Sequence, residues 1–525
     1  MFEQAPLPKK IKWQLMYEGP ALGHLLAYQL FIRPFMEGKK SLPAKLTGLN
    51  YDYYLWYSDR SELGGLHSGY YSKSDLDSAL KRGEVIYFDK NWLNKWYALI
   101  NDDCDKAEKL MRKAKLEKKI GSTSRADIIK LIPKLIETEY RLVSYVRCSQ
   151  PQLTDAMQNR LFAIIRKHVK NKSSMGGVFT KLTLPEEMSL FTEEEIAWLG
   201  IIIEAKNKIN GKDINYITSS FLSENYREIL ALLEKHLKKY ELLPASDRTP
   251  TWDLNHFIEL LKTNLKSNIN YSKKRKHIVE QYENAPQIKE EIVKKYKLPH
   301  EAIVLGRRIA KVGFYRFKAS FYWRWIGYYM VLICKKYARR FGLTYEEIAC
   351  TTKEELLEML SGRSVIEKEE LIRRSEAELY LHYEGGDYIW WGKEAVQKKI
   401  EIFGATNFDE IVKLKGEIGS IGKVRGKAFV FYWSDNISKK VHRMPIGSIL
   451  VAPQTHPTYM PAIRLAAGLV CDEGGVTGHA AIVSRELNKP CVIGVHIGTK
   501  VIKTGDEIEI DGDRGIVKVL GRIKH

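Results

Sequence analysis

Apolar residues recur every three to four positions through most of the first 400 residues, a period that predicts helices. The stretch from about 90 to 150 is a clear case, with Leu131, Ile132, Leu135, Ile136 and Tyr140 on one helical face. The same period returns at 155–170, 192–208, 222–240 and 251–266. Polar signals mark helix starts. Ser72-Lys73-Ser74-Asp75 offers an N-cap serine, and Thr344 and Thr352 each have carboxylates close behind. Gly176-Gly177, Gly211 and Pro244 read as short turns, and 282–300 as a connector broken by Pro286 and Pro299. Residues 1–60 break the rule. Trp13, Tyr17, Tyr51, Tyr53, Tyr54, Trp56 and Tyr57 lie between short turns, a pattern that fits strands or a packed cap.

Beyond residue 415 the pattern changes. Short β-branched runs appear at Ala428–Trp433, Ser448–Ala452, Leu469–Cys471, Cys491–Ile493, Glu507–Ile510 and Gly515–Leu520. Helical stretches near 458–466 and 479–488 interrupt them. The predicted architecture is a mainly α-helical N-terminal and central region followed by a C-terminal mixed β/α domain. Gly404, Gly416, Gly419 and Gly422 lie in the stretch between the two, at about 396–420, and predict a hinge.

The stretch 301–345 is the most aromatic, with Phe314, Tyr315, Phe317, Phe321, Tyr322, Trp323, Trp325, Tyr328 and Tyr329 among arginines. It reads either as a wall that stacks a ring-bearing ligand or as a helix buried in a bundle with arginines at its edges.

Composition adds bounds. At 525 residues with 44% hydrophobic and 28% charged content, the chain is globular and holds two to four domains. No apolar run is long enough to span a bilayer, and Met1 to Lys12 lacks the apolar core of a signal peptide, so a cytoplasmic protein is expected. None of the six cysteines forms a Cys-x-x-Cys pair, so neither a metal site nor a disulfide framework is expected. The net charge of +20 suits an anionic partner or a lysine-rich solvated surface. Lys273-Lys274-Arg275-Lys276-His277 reads as the opening of a solvated helix.

The candidate chemistry lies in Gly474-Gly475-Val476-Thr477-Gly478-His479, followed by an apparent helix from Ala480 to Leu487 with Ile482, Val483 and Leu487 as its apolar stripe. A helix start offers unpaired N–H groups and partial positive charge, which favour a phosphate. A histidine there can hold a phosphoryl group on its ring. Gly474, Gly475, Thr477 and Gly478 would position the phosphate, with Arg485 further along the helix. His442, His456 and His496 read as surface or turn residues.

This run and its ordered flanks resemble the mobile, phosphohistidine domain of the PEP-utilising enzyme family. The flanks are Gly422-Lys423-Val424-Arg425-Gly426, Ile449-Leu450-Val451-Ala452-Pro453 with Thr455, Gly468 to Gly475, and Asn488-Lys489-Pro490-Cys491-Val492-Ile493-Gly494. Members include PEP synthase, pyruvate phosphate dikinase, rifampicin phosphotransferase and phenylphosphate synthase. The family's loop usually has serine or cysteine where this chain has Gly478.

The resemblance implies that His479 is the phosphoryl carrier in a swivelling domain at 416–522, behind a hinge at 401–415. It extends more loosely to a helical region at 301–400. Residues 1–300 form an unassigned, mostly helical domain that could bind an acceptor. Neither the family's ATP-grasp domain nor its PEP-binding barrel is found in this sequence. The resemblance therefore implies that ATP and magnesium act at a separate ATP-grasp subunit, and that an unknown small molecule accepts the phosphoryl group. This chain itself is expected to bind no cofactor or metal. Two other classes remain open at this stage: a non-catalytic regulatory or scaffold protein that keeps the domain, and a basic nucleic-acid binder.

Overall fold

The computed structural model describes residues 11–20, 24–28, 32–60, 66–114, 122–245, 251–364, 366–404, 408–433, 435, 437–455, 459–473, 479–487 and 489–522. Residues 23–54 and 72–371 form one compact unit, and residues 1–22, 55–71 and 372–525 form a second. These units cut the chain differently from the expected boundaries at 300, 400 and 415. The expected architecture holds: helices dominate the N-terminal and central regions, and a mixed β/α domain lies at the C-terminal end.

The first unit is helical. Its centre is the 41-residue helix Glu301–Phe341. Tyr322, Ile326, Tyr329, Ile333 and Tyr337 are all buried along it, at the spacing of one continuous stripe. They pack with Ile128, Ile132, Leu135 and Tyr145 of the helix Arg125–Arg147. The aromatic stretch is thus largely core, the second of its two sequence readings. Close approach is built in by glycine. A Cβ on Gly306 would lie 2.2 Å from the Leu182 carbonyl oxygen. Among the described residues no helix is long and apolar enough to cross a membrane.

The expected caps are present. The Ser72 side chain accepts from Asp75 N, and Thr344 and Thr352 each close a capping box with Glu347 and Glu355. Two expected breaks are absent. Gly176 and Gly177 lie inside the helix Lys172–Leu182, where both Cβ positions face open space. The connector at 282–300 is largely helix. Pro286 sits in the first turn of Ala285–Tyr296, where proline has no hydrogen bond to lose.

The second unit holds two sheets. Five strands form the first: β1 (Trp13–Pro20), β2 (Tyr53–Asp59), β3 (Leu66–Ser72), β4 (Ala377–Tyr383) and β5 (Gly386–Trp391), in the order β1-β3-β2-β4-β5. Residues 1–60 therefore do supply strands. Glu384 and Gly385 join β4 to β5 with positive φ of 50° and 80°, the conformation of a tight hairpin. Leu55, Tyr57, Leu379, Leu381 and Trp390 form a core with Ala395 of the helix Gly392–Phe403.

Eight strands form the second sheet: β6 (Lys413–Lys415), β7 (Glu417–Ser420), β8 (Lys423–Val430), β9 (Ile449–Ala452), β10 (Gly468–Cys471), β11 (Cys491–Ile493), β12 (Glu507–Asp511) and β13 (Ile516–Gly521). Their order is β6-β13-β12-β8-β9-β10-β11-β7, and β8 to β11 run parallel. Residues alternate between faces as a strand requires. Leu450, Leu469, Cys471, Cys491 and Ile493 meet the helices on one face, while Ile449, Val451, Val470 and Val492 fill the other. Three of the four glycines expected to loosen a hinge are packed into this sheet. A Cβ on Gly416 would lie 2.3 Å from the Ile493 oxygen, one on Gly419 2.8 Å from Cys491 Sγ, and one on Gly422 3.1 Å from Pro490 Cγ. Only Gly404, with φ of 78° and open space around it, lies outside the sheet.

Candidate functional site

Each parallel strand ends on the same edge of the eight-stranded sheet. Open α/β sheets bind ligands at the carboxyl ends of their strands. Three of the four loops that leave that edge follow Ala452 of β9, Cys471 of β10 and Ile493 of β11. The helix His479–Glu486 returns from the second of them. His479 is its first residue, so the backbone places this histidine at the helix start, as the sequence predicts. Gly474, Gly475, Thr477 and Gly478 lie outside the described residues, as do the side chains of His479 and Arg485.

The helix beneath His479 lies close to the sheet because its inner residues are small. Ala480, Ala481 and Ser484 are buried, together with Val483, beside Cys471 and Cys491. The Ser484 hydroxyl donates to the Ala480 carbonyl at 2.6 Å, satisfying a polar group that has no contact with water. This corrects the expected stripe: Leu487 is 38% exposed. A bulky residue on the inner face would have pushed the helix away from the strands.

Asp472 anchors the loop that leads to His479. It is 2% exposed and receives the Thr499 backbone N–H at 3.2 and 3.1 Å on its two carboxylate oxygens. The Thr499 hydroxyl donates to it as well. The backbone continues the tie: Asp472 N donates to the Ala452 carbonyl at 3.1 Å, Glu473 N to Pro453 O at 2.8 Å, and His496 N to Asp472 O at 3.0 Å. The loops after β9, β10 and β11 are joined through this one residue. Thr455, on the β9 loop, is buried. The sequence reading missed Asp472 and Thr499 as positioning residues. The available signal was an aspartate directly after a four-residue apolar strand.

Burial sets the chemistry of neighbouring groups. The Cys471 thiol lies well above its ordinary range because of burial, so it has no nucleophilic role at neutral pH. Burial also raises the Tyr459 hydroxyl. All six cysteines are buried and free. His442 and His496 are exposed, as expected, and His456 lies outside the described residues. Among the described residues no group of three or more His, Cys, Asp or Glu side chains could hold a metal.

Residues 444–515 match the family described as PEP-utilising enzyme, mobile domain. A probable phosphoenolpyruvate synthase of Archaeoglobus fulgidus is 46% identical over 113 residues, 22% of this chain and 14% of its own length. A second, from Staphylothermus marinus, is 42% identical over 132 residues, 24% of this chain and 15% of its own. The phosphoenolpyruvate synthase of Pyrococcus furiosus is 46% identical over 106 residues, 20% of this chain and 12% of its own. The chain thus spans about one-seventh of the length of the curated relatives it matches. Its C-terminal region carries a mobile domain of the PEP-utilising enzyme family.

Proposed function

We propose, from a C-terminal domain of the PEP-utilising mobile type, that this chain is a phosphotransferase component whose carrier is His479. A donor site phosphorylates the imidazole, and the domain passes the phosphoryl group to a small-molecule acceptor. The observation that carries this reading is the position of His479. It opens a helix at the carboxyl edge of a parallel sheet, inside the segment that matches the family. Helix-start N–H groups offset the charge of a phosphoryl group on the ring. A neutral imidazole attacks phosphorus through the lone pair of a ring nitrogen. Asp472 sets the geometry by holding the loop that delivers the histidine.

The donor is ATP with magnesium on a separate ATP-grasp subunit, or PEP. The buried free thiols fit a reducing compartment such as the cytoplasm. The test is incubation of the chain with labelled ATP, magnesium and the candidate partner, and separately with labelled PEP. Acid-labile phosphate is then mapped. Label is expected on His479 and is expected to vanish in His479→Ala. No label at His479 from either donor overturns the reading.

A further inference from the structure

A cavity of about 630 Å³ opens on the first, helical unit. Residues between Arg33 and Lys45 line one side, and Glu137, Tyr140 and Arg141 of the helix Arg125–Arg147 line the other. Its volume is that of a small-molecule site. Arg33, Lys39, Lys40, Lys45 and Arg141 face it as cations, against the carboxylates of Glu37 and Glu137.

The guanidinium groups and the carboxylates are already committed. The Arg33 guanidinium lies 3.7 Å over the Tyr140 ring and donates to Glu37 at 2.7 Å and to Glu137 at 3.0 Å. The buried Tyr140 hydroxyl donates to the second Glu37 oxygen at 2.7 Å and accepts the Leu42 N–H at 3.2 Å. Arg141 donates to Asp103 at 2.8 Å.

The three lysines are not committed. All are exposed, and none donates a hydrogen bond or forms an ion pair among the described residues. On the helix Tyr271–Glu283, by contrast, Lys274 and Lys276 pair with Glu195 and Glu280. The backbone that carries the cavity lysines is fixed. Lys39 and Lys40 lie in the turn Gly38–Lys40, and Lys45 in the helix Leu42–Thr47. Between them Ser41 is buried and caps that helix by accepting from Ala44 N, and Leu42 N is tied to Tyr140. A segment held this way pays little backbone ordering on binding.

We infer that this cavity binds a small molecule carrying two or more linked phosphate groups. Guanidinium forks recognise carboxylates bidentately, and both forks here are taken. What remains is three ammonium point charges, which suit the many oxygens of linked phosphates. Met36, 44% exposed, and Leu42 offer apolar surface to the rest of the molecule. This binding goes beyond the reading of His479 as carrier and does not depend on it.

Titration calorimetry of the full chain, without magnesium, tests this with orthophosphate, pyrophosphate, tripolyphosphate and butanetetracarboxylate. Affinity is expected to rise along the phosphate series, with tripolyphosphate tighter than the carboxylate probe. The triple variant Lys39→Gln, Lys40→Gln, Lys45→Gln changes only exposed side chains. It is expected to keep the wild-type circular dichroism spectrum and to weaken tripolyphosphate binding at least about tenfold. The control Lys273→Gln, Lys276→Gln, Lys294→Gln removes the same charge elsewhere, and is expected to leave binding within about twofold of wild type. If the first triple variant misfolds, Lys40→Gln and Lys45→Gln alone must each weaken binding. No binding of tripolyphosphate at millimolar concentration overturns the inference. Equal weakening by the two triple variants overturns it too, since net charge alone would then hold the anion. Carboxylate binding as tight as tripolyphosphate overturns the assignment to phosphates.

Discussion

The two sheets of the second unit are built in opposite ways. The eight-stranded sheet comes from one continuous stretch, residues 413–521, and its parallel strands follow one another in sequence order from β8 to β11. The five-stranded sheet is gathered from three distant stretches, with β2 hydrogen-bonded between β3 and β4 although more than 300 residues separate it from β4. Contiguous construction lets local contacts specify a sheet. Distant construction needs loop closure before any pairing is rewarded.

This contrast makes its largest prediction about fragments. Residues 408–522 expressed alone are expected to unfold cooperatively on heating, followed by circular dichroism. Residues 372–404 contain only one hairpin and one helix, too little for independent stability. They are expected to show no transition. A cooperative transition in the shorter fragment, or none in the longer, would break the comparison.

Close packing sharpens it next. Gly416→Ala places a Cβ 2.3 Å from the Ile493 carbonyl oxygen, a backbone atom that cannot swing aside. The expected cost is roughly 3 kcal/mol, read from urea unfolding of the 408–522 fragment. Gly313, in the helix Glu301–Phe341, has nothing within 4 Å of its Cβ position. Gly313→Ala is expected to stabilise the helical unit by about 0.5–1 kcal/mol. Equal effects at the two sites would mean that the sheet relaxes around Gly416.

The same contrast explains what could be read from residues alone. β9, β10 and β11 were legible because each is an apolar run bounded by glycine or proline, with its partner one helix away. The helix starts at Ser72, Thr344 and Thr352 were legible because a cap is a contact over three residues. β4 and β5 were not foreseen, since nothing local says that Leu379 and Leu381 meet Leu55 and Tyr57 in one core. The sheet glycines were misread as hinge residues because flexibility and close approach use the same residue type. At the site, His479 stood out by its glycine loop. Asp472 did not, because its partner Thr499 lies 27 residues away.

That long-range partner yields the third expectation. Asp472→Ala leaves the buried Thr499 N–H and hydroxyl without their acceptor, a loss of roughly 2 kcal/mol. Asp472→Asn keeps one acceptor oxygen and is expected to recover part of that loss. If Asp472 also positions the loop to His479, labelling should slow in the same order: wild type, asparagine, alanine. A stability loss with unchanged labelling would confine Asp472 to the fold.

The smallest expected effect concerns pH, and it tests whether side chains across strands reinforce the contiguous sheet. Across these two strands, Arg425 of β8 meets Glu507 of β12 at 2.9 Å, and Lys423 of β8 meets the buried Asp511 of β12 at 3.0 Å. These hydrogen-bonded cations hold both carboxyls below their usual range. A carboxyl with a depressed folded-state pKa binds protons more weakly in the folded state than in the unfolded one. Its contribution is therefore present above about pH 4, the unfolded-state range, and is lost as pH falls through the folded-state value. The melting temperature of the 408–522 fragment should accordingly fall as pH drops from about 5 to 3. The double variant Lys423→Met, Arg425→Met should flatten that decline, because its carboxyls titrate near their unfolded-state values. Salt should flatten it in part, since the Arg425–Glu507 pair faces solvent and is screened, whereas Asp511 is buried. An unchanged slope in the double variant would assign acid sensitivity to other carboxylates, and leave β8–β12 pairing to backbone hydrogen bonds and the core beneath.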